Sequence, residues 1–133
     1  MERAEFWFRR ATAHGSLEGS FLLGALCRSC GRYEEALAAY SIGALQNFPP
    51  SIYWIGRMYA DGMGVDANAD KAIDLWRQAS NLGHFYAARN LAIMHLQGRF
   101  GLAEVPRGIA MLFSVIRDVI PVARLNSQSN FLR

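Results

Sequence analysis

The sequence has few charged residues, few cysteines and no long apolar run. Only 19% of its 133 residues are charged, against about 25% in an ordinary soluble domain. Two cysteines are too few for a disulfide scaffold. The longest apolar runs, FLLGALC and IAMLFSVI, fall far short of the ~20 residues that span a bilayer. The N terminus, MERAEFWFRR, lacks the apolar core of a secretory signal. We therefore expect a cytoplasmic protein that does not engage a membrane.

The basic residues are more numerous than the acidic ones but are not clustered. Fourteen basic against eleven acidic residues give a formal charge of +3, and nearly all the basic residues are arginine. A nucleic-acid-binding domain typically concentrates its basic residues on one stripe, whereas these are spread along the chain. We therefore expect no nucleic-acid partner. The 52% apolar content also excludes a disordered chain.

A repeat runs along the sequence. Three segments align, GSLEGSFLLG, NFPPSIYWIG and GHFYAARNLA, and a second block follows each: EEALAAYSIGA, DKAIDLWRQAS and PRGIAMLFSVI. The small residue near the start of the second block recurs at Ala36, Ala72 and Gly108, which are spaced by 36 residues, and Ala4 lies 32 residues before Ala36. Such a period is typical of stacked repeat architectures.

The periodicity within each block is helical. In the central second block, apolar residues fall on one face of a helix at Ala72, Leu75, Trp76, Ala79 and Leu82. Breakers separate the blocks, and Pro49-Pro50 and Pro106 each suit the first turn of a helix. The sequence therefore predicts an all-α fold, a right-handed αα-hairpin solenoid of about three repeats.

Small residues at matched positions predict how the two helices of a hairpin meet. Gly24, Gly56 and Ala92 lie on the first helices, and Ala36, Ala72 and Gly108 on the second. We expect the helices to approach closely where these small residues face one another.

The central copy, IGRMYADGMGVDANADKAIDLWRQASNLGH, resembles a Sel-one-like repeat, a member of the tetratricopeptide-like αα solenoids. The family's pattern is matched at Ile55-Gly56, Tyr59, Gly62, Gly64-Val65, Lys71-Ala72, Leu75-Trp76, Ala79 and Gly83. The copy before it has a shorter, plain tetratricopeptide spacing between Gly24 and Ala36. The resemblance implies a tetratricopeptide-like superhelix that acts as a non-catalytic protein-binding scaffold, often bacterial and regulatory or immunity-type, without a cofactor.

The repeat boundaries predict one domain over residues 1–133. It consists of a half repeat at 3–15, repeats at about 16–47, 48–83 and 84–119, and a degenerate tail at 120–133. Solenoids normally end in polar capping helices, but the flanking segments EFWFRR and IAMLFSVI are apolar. We therefore expect that the uncapped solenoid ends are covered. Either the protein forms a homo-oligomer through these ends, or polypeptide that is not included in this sequence packs against them.

Two groups of residues resemble parts of zinc, redox or calcium sites. Cys27 and Cys30 invite a zinc or redox interpretation, but a structural zinc site needs four ligands; we expect buried packing thiols, with a redox role as the alternative. The DANAD stretch starts like a calcium loop but lacks the glycine and the glutamate that such a loop requires. We read Asp66 and Asn68 as helix caps and Asp70 as a first-turn carboxylate. We predict no catalytic, cofactor-binding or metal-binding residue.

The resemblance places the candidate partner-binding residues on the first helices, which line the concave face of tetratricopeptide-like stacks. The candidates are Phe21, Arg28, Tyr53, Arg57, Arg89 and Ile93. Aromatic and guanidinium groups suit a peptide or partner protein of acidic character. The alternative is that the six residues are ordinary exposed residues without a role in binding. Two other functions stay open and are disfavoured. A penicillin-interacting, weakly β-lactam-hydrolysing branch of the family needs cysteine pairs in every repeat, and an RNA-binding helical repeat needs clustered positive charge.

Overall fold

A computed structural model of the chain describes residues 2–97 and 105–117, and all its regular structure there is helical. The helices are α1 (Glu2–Ala13), α2 (Leu17–Ser29), α3 (Tyr33–Ala44), α4 (Pro49–Asp61), α5 (Ala69–Asn81), α6 (Phe85–Leu96) and α7 (residues 105–117). This confirms the all-α prediction for the described ranges. The predicted tail at 120–133 lies outside them.

The chain divides into two compact units, Met1–His84 with α1 to α5 and Phe85–Arg133 with α6 and α7. In the first unit, α2 packs against α3 and α4 against α5, so that each pair forms one hairpin. Helix α1 packs on α2, and α3 packs on α4, which joins successive hairpins.

Local signals in the sequence begin these helices. The Ser16 hydroxyl accepts a hydrogen bond of 2.9 Å from the Gly19 backbone N–H at the start of α2. Asn68 caps α5 in the same way, accepting a 3.0 Å bond from the Lys71 N–H, which confirms one of the predicted caps. Helix α4 begins at Pro49, as predicted, where the missing N–H costs nothing.

Each hairpin of the first unit is closed by a glycine that faces an aromatic ring. A Cβ added to Gly24 would lie 2.7 Å from the ring of Tyr40, and one added to Gly56 would lie 2.7 Å from the ring of Trp76. The predicted close approach at these glycines is confirmed, but the prediction that they face small residues is incomplete. The rings fill the space, although Gly56 also lies close to the Ala72 carbonyl.

Small residues meet where one hairpin joins the next. A Cβ on Gly19 would lie 2.7 Å from the Cβ of Ala11, and one on Gly43 would collide with the Ser51 hydroxyl. The first unit therefore uses rings inside the hairpins and small side chains between them.

The core of the first unit lies between α2, α3 and α4. Its buried members share complete or nearly complete exclusion from solvent: Leu23, Cys27, Ala36, Ala39, Tyr40, Ile55 and Met58. A second buried group centres on Trp76, whose indole Nε1–H donates a 3.2 Å hydrogen bond to the Tyr53 carbonyl. Because a buried indole N–H needs an acceptor, this bond fixes the ring against α4.

In the second unit, α6 and α7 approach closely through a glycine. A Cβ on Gly108 would lie 2.6 Å from the Cβ of His95. Pro106 lies in the first turn of α7, as predicted.

The Gly56→Ala substitution tests the closure of the α4–α5 hairpin. Helix propensity alone would make this change stabilising by about 1 kcal/mol. The contact with Trp76 predicts instead a loss of about 1–3 kcal/mol, because the ring has no space to move into. The free energy of urea unfolding measures the sign. In a Trp76→Leu background the same substitution should cost less; an equal cost in both backgrounds would contradict the assignment.

Candidate functional site

The first helices α2 and α4 meet through a row of aromatic rings. Phe21 lies 5.8 Å from Tyr40 and 6.1 Å from Phe48, measured between ring centroids. Tyr40 in turn stacks on Trp54, with the centroids 6.4 Å apart and the planes only 9° from parallel. We call Phe48, Phe21, Tyr40 and Trp54 the aromatic row.

Arg28 closes one end of the aromatic row. Its Cζ lies 4.0 Å from the centroid of the Trp54 ring, the geometry of a cation–π contact. The side chain is half-buried, and its Nε is excluded from solvent without a hydrogen-bond partner among residues 2–97 and 105–117. The hydroxyl of Tyr40 is also buried, beside Arg28. Burial raises the pKa of Tyr40, and the neighbouring Arg28 guanidinium opposes that rise.

Four arginines elsewhere in the first unit are paired with carboxylates. Arg57 Nε donates to Asp61 at 2.8 Å and Arg77 to Asp74 at 3.2 Å, both within one helix. The other two, Arg9 and Arg32, belong to a network between helices. Among the residues described, Arg28 has no such carboxylate.

The network joins α1 to the start of α3. Arg32 makes a bidentate pair with Glu5, with N···O distances of 3.0 and 2.9 Å, and Arg9 bridges Glu5 and Glu35 at 2.7 and 2.9 Å. Hydrogen bonds from Arg32, and then from Arg9, lower the pKa of Glu5 from 4.5 to about 2. Glu35 joins this network only in the folded chain, because Arg9 lies 26 residues before it.

Of the predicted partner-binding residues in the first unit, Arg57 is exposed, and Phe21 and Arg28 are half-buried. Tyr53 is different: only 8% of it is exposed. Its ring stacks on Trp76 and lies 4.8 Å from the His84 ring. Tyr53 is thus mainly a packing residue that supports the hairpin.

The other two candidates, Arg89 and Ile93, lie on α6 in the second unit. The Cζ of Arg89 is 5.2 Å from the Tyr86 ring centroid, and Ile93 is exposed. The row that would join them to Phe21 and Tyr53 crosses from one unit to the other and stays a prediction.

Two residues of the first helices were missed by the sequence reasoning. Leu22 is 43% exposed, and Trp54 is half-buried beneath Arg28. Their separation of 32 residues equals that of Phe21 and Tyr53, so the repeat register could have found the pair. We call Leu22, Arg28, Trp54 and Arg57 the first-helix face.

The two cysteines have different surroundings. Cys27 is buried, as predicted, and burial raises the pKa of its thiol. Cys30 was also expected to be buried, but it follows the last turn of α2 and is exposed. Within residues 2–97 and 105–117, no group of three or more histidine, cysteine or acidic side chains could hold a metal ion. No helix in those ranges is long and apolar enough to cross a membrane.

The repeats match a known family. The profile of the Sel1 repeat matches residues 1–16, 49–84 and 85–107, together more than half of the chain. The chain belongs to the Sel1 repeat family. This confirms the resemblance seen in the central copy. The unmatched stretch between the first two matches contains the copy with the shorter spacing from Gly24 to Ala36.

Solved Sel1 repeat structures share the fold. A Sel1 repeat protein from Oxalobacter formigenes superposes with a TM-score of 0.74 at 21% identity, covering 85% of this chain and 48% of its own. A protective antigen present in uropathogenic Escherichia coli strains, with an SLR (Sel1-like repeat) fold, also gives 0.74 at 21%, covering 86% of this chain and 25% of its own.

These likenesses show an all-α helical repeat solenoid. The chain spans about half the length of the first neighbour and a quarter of the second. Sel1 repeat proteins generally act as scaffolds for protein–protein interaction and are typically non-catalytic.

The network around Glu5 predicts a pH dependence of stability. The pKa of Glu5 is lower in the folded chain, so between about pH 4.5 and pH 2 the unfolded chain binds more protons. The stabilisation is full above this window and is lost as the pH falls through about 2. We expect Glu5→Gln to have a lower melting temperature than the unmodified protein at pH 6. The difference in melting temperature between the two proteins should become smaller as the pH approaches 2.

The exposed neighbour Glu34 provides a control, since Glu34→Gln leaves the network intact. Carbon-detected NMR of the side-chain carboxyls measures the pKa of Glu5 directly. Titration of Glu5 near 4.5 would contradict the network.

Proposed function

We propose that this Sel1 repeat protein is a non-catalytic scaffold that binds a peptide or partner protein along its first helices. The contacts would come from the first-helix face, and in the second unit Arg89 and Ile93 on α6 would make contacts of their own. Tyr53 and Phe21 would act beneath that face, holding the helices that carry it.

The observation that carries the proposal is the composition of the first-helix face. Leu22, an aliphatic side chain that is 43% exposed, holds the register position in its repeat that Trp54, a tryptophan overlaid by the guanidinium of Arg28, holds in the next. Binding energy at protein interfaces concentrates on tryptophan, tyrosine and arginine. The aromatic row beneath supplies a packed base, so a ligand would meet a surface that is already ordered.

The charge of the protein favours an acidic partner. Its formal charge is +3, and Arg28 lacks a carboxylate among the described residues. Electrostatic complementarity of this kind raises association rates and selects partners. A regulatory or immunity-type role in a bacterial cytoplasm is compatible with a chain that has only two cysteines, since disulfide scaffolds belong to oxidising compartments.

Self-association through α1 is a second proposal. Phe6 and Trp7 are 57% and 58% exposed and pack edge-to-face against each other. In the repeat register, Trp7 corresponds to Ala39, which is buried. An exposed tryptophan where the next repeat buries an alanine supports a contact surface for a second copy.

Peptide display tests the first-helix face. Peptides selected from a random library on the immobilised protein should bind Leu22→Glu at least about tenfold more weakly, because an anchor contact of about 1.4 kcal/mol is lost. Ile42→Glu on α3 is the matched control, since Ile42 is 40% exposed and also aliphatic. It should leave the affinity unchanged. Equal losses in both variants, or none in Leu22→Glu, would contradict the proposal.

Light scattering coupled to size exclusion tests the α1 surface. The unmodified protein should form dimers or larger species whose fraction rises with concentration, and Trp7→Glu should be monomeric, because burying the new carboxylate is costly. Ile42→Glu serves again as the control for an added surface charge. A monomeric unmodified protein at high concentration would contradict self-association.

A further inference from the structure

We infer that Arg28, supported by Trp54 and Tyr40, forms a subsite that binds one carboxylate, the side chain of an aspartate or glutamate of the partner. The inference rests on the proposed function, that a partner lies along the first-helix face, and assigns the chemistry of one contact in it.

The charge of the Arg28 guanidinium is only partly compensated within the protein. A charged group that leaves water needs compensation from hydrogen bonds or an opposite charge. Arg28 is half-buried, its Nε has lost contact with water, and within the described residues it has no carboxylate partner. The cation–π contact with Trp54 provides part of the compensation. The guanidinium of Arg28 can therefore still pair with a carboxylate, which is a stronger partner than the Trp54 ring.

The contact with Trp54 leaves the N–H donors of the Arg28 guanidinium for another partner. At 4.0 Å from the Trp54 centroid, the guanidinium uses its face against the ring. Its N–H groups lie in the guanidinium plane, so they stay available for a bidentate carboxylate. The Tyr40 hydroxyl lies beside Arg28 and is buried, so Tyr40 supports the guanidinium from beneath and does not itself contact the ligand.

The aromatic rings beneath Arg28 hold its guanidinium in place. Trp54 is stacked on Tyr40 and also has an edge contact with Tyr53 at 5.7 Å and 75°. The Tyr40 ring is held against Gly24, where a Cβ would have no space. A guanidinium fixed in this way loses little conformational freedom on binding.

The subsite occurs once in the repeat series. The positions that correspond to Arg28 in the following repeats are Ala60 and Leu96, neither of which is charged. A partner would therefore be recognised by one acidic residue at a single register, which sets where along the first-helix face it binds.

The test uses small probes that do not depend on knowing the partner. N-acetyl-glutamate N-methylamide and its uncharged glutamine counterpart are titrated into the ¹⁵N-labelled full chain, and the Arg28 Nε–Hε and Trp54 indole N–H signals are followed. We expect saturable shifts of both signals with the glutamate probe and none with the glutamine probe. Equal responses to both probes, or tighter binding of inorganic phosphate than of the glutamate probe, would overturn the inference.

Two variants assign the response to Arg28. Arg28→Gln should abolish it, and Arg28→Lys, which keeps the charge and the packing stem but loses the planar fork, should weaken it several-fold. Arg57→Gln is the matched control, because Arg57 is on the same face but already paired with Asp61. A response that survives in Arg28→Gln, or that Arg57→Gln removes equally, would overturn the assignment.

The display peptides separate this inference from the proposed function. If they depend on Leu22 but tolerate Arg28→Gln and replacement of their own acidic residues by amides, the carboxylate subsite is wrong and the face stands. If the glutamate probe shifts Arg28 but no selected peptide depends on Leu22, the subsite stands and the face is wrong.

Discussion

The close approach of paired helices is the constraint on which the rest of the first unit depends. Gly24 admits the ring of Tyr40, and Gly56 admits the ring of Trp76, because neither glycine has a Cβ to occupy that space. The consequence extends to the surface. Tyr40 supports Trp54 by stacking, and Trp54 supports the guanidinium of Arg28. A packing requirement inside one hairpin therefore positions a charge between that hairpin and the next.

The distribution of charge divides the arginines into two groups. Arg9 and Arg32 are used to attach α1 to α3 through Glu5 and Glu35, so their charges are largely satisfied within the protein. Arg28 is half-buried on an aromatic ring and has no such partner in the described residues. The overall charge of +3 favours an acidic partner in general, and the environment of Arg28 indicates one place where such a partner would bind.

The Sel1 repeat fold supplies a scaffold, and a scaffold does not specify its ligand. The solved neighbours share the fold at 21% identity, so likeness to them leaves the partner to be argued from this chain's own side chains. Those side chains are unevenly distributed over the repeats. Arg28 has no charged counterpart at Ala60 or Leu96, so the face of each first helix differs from the next.

Residue type and spacing along the chain were enough to predict the features that depend on local interactions and on repetition. The repeat register, the helix start at Pro49, the cap at Asn68 and the family all follow from residue type and spacing, because turns and caps are formed by residues a few positions apart.

The surroundings of individual side chains depend on tertiary packing and could not be predicted from residue spacing. Tyr53 was expected at the surface and is buried against Trp76, while Cys30 was expected inside and is exposed. The contact of Arg28 with Trp54 joins residues of two different repeats. The physical reason is that a helical pattern tells which residues share a face, whereas burial and pairing depend on which neighbour that face meets.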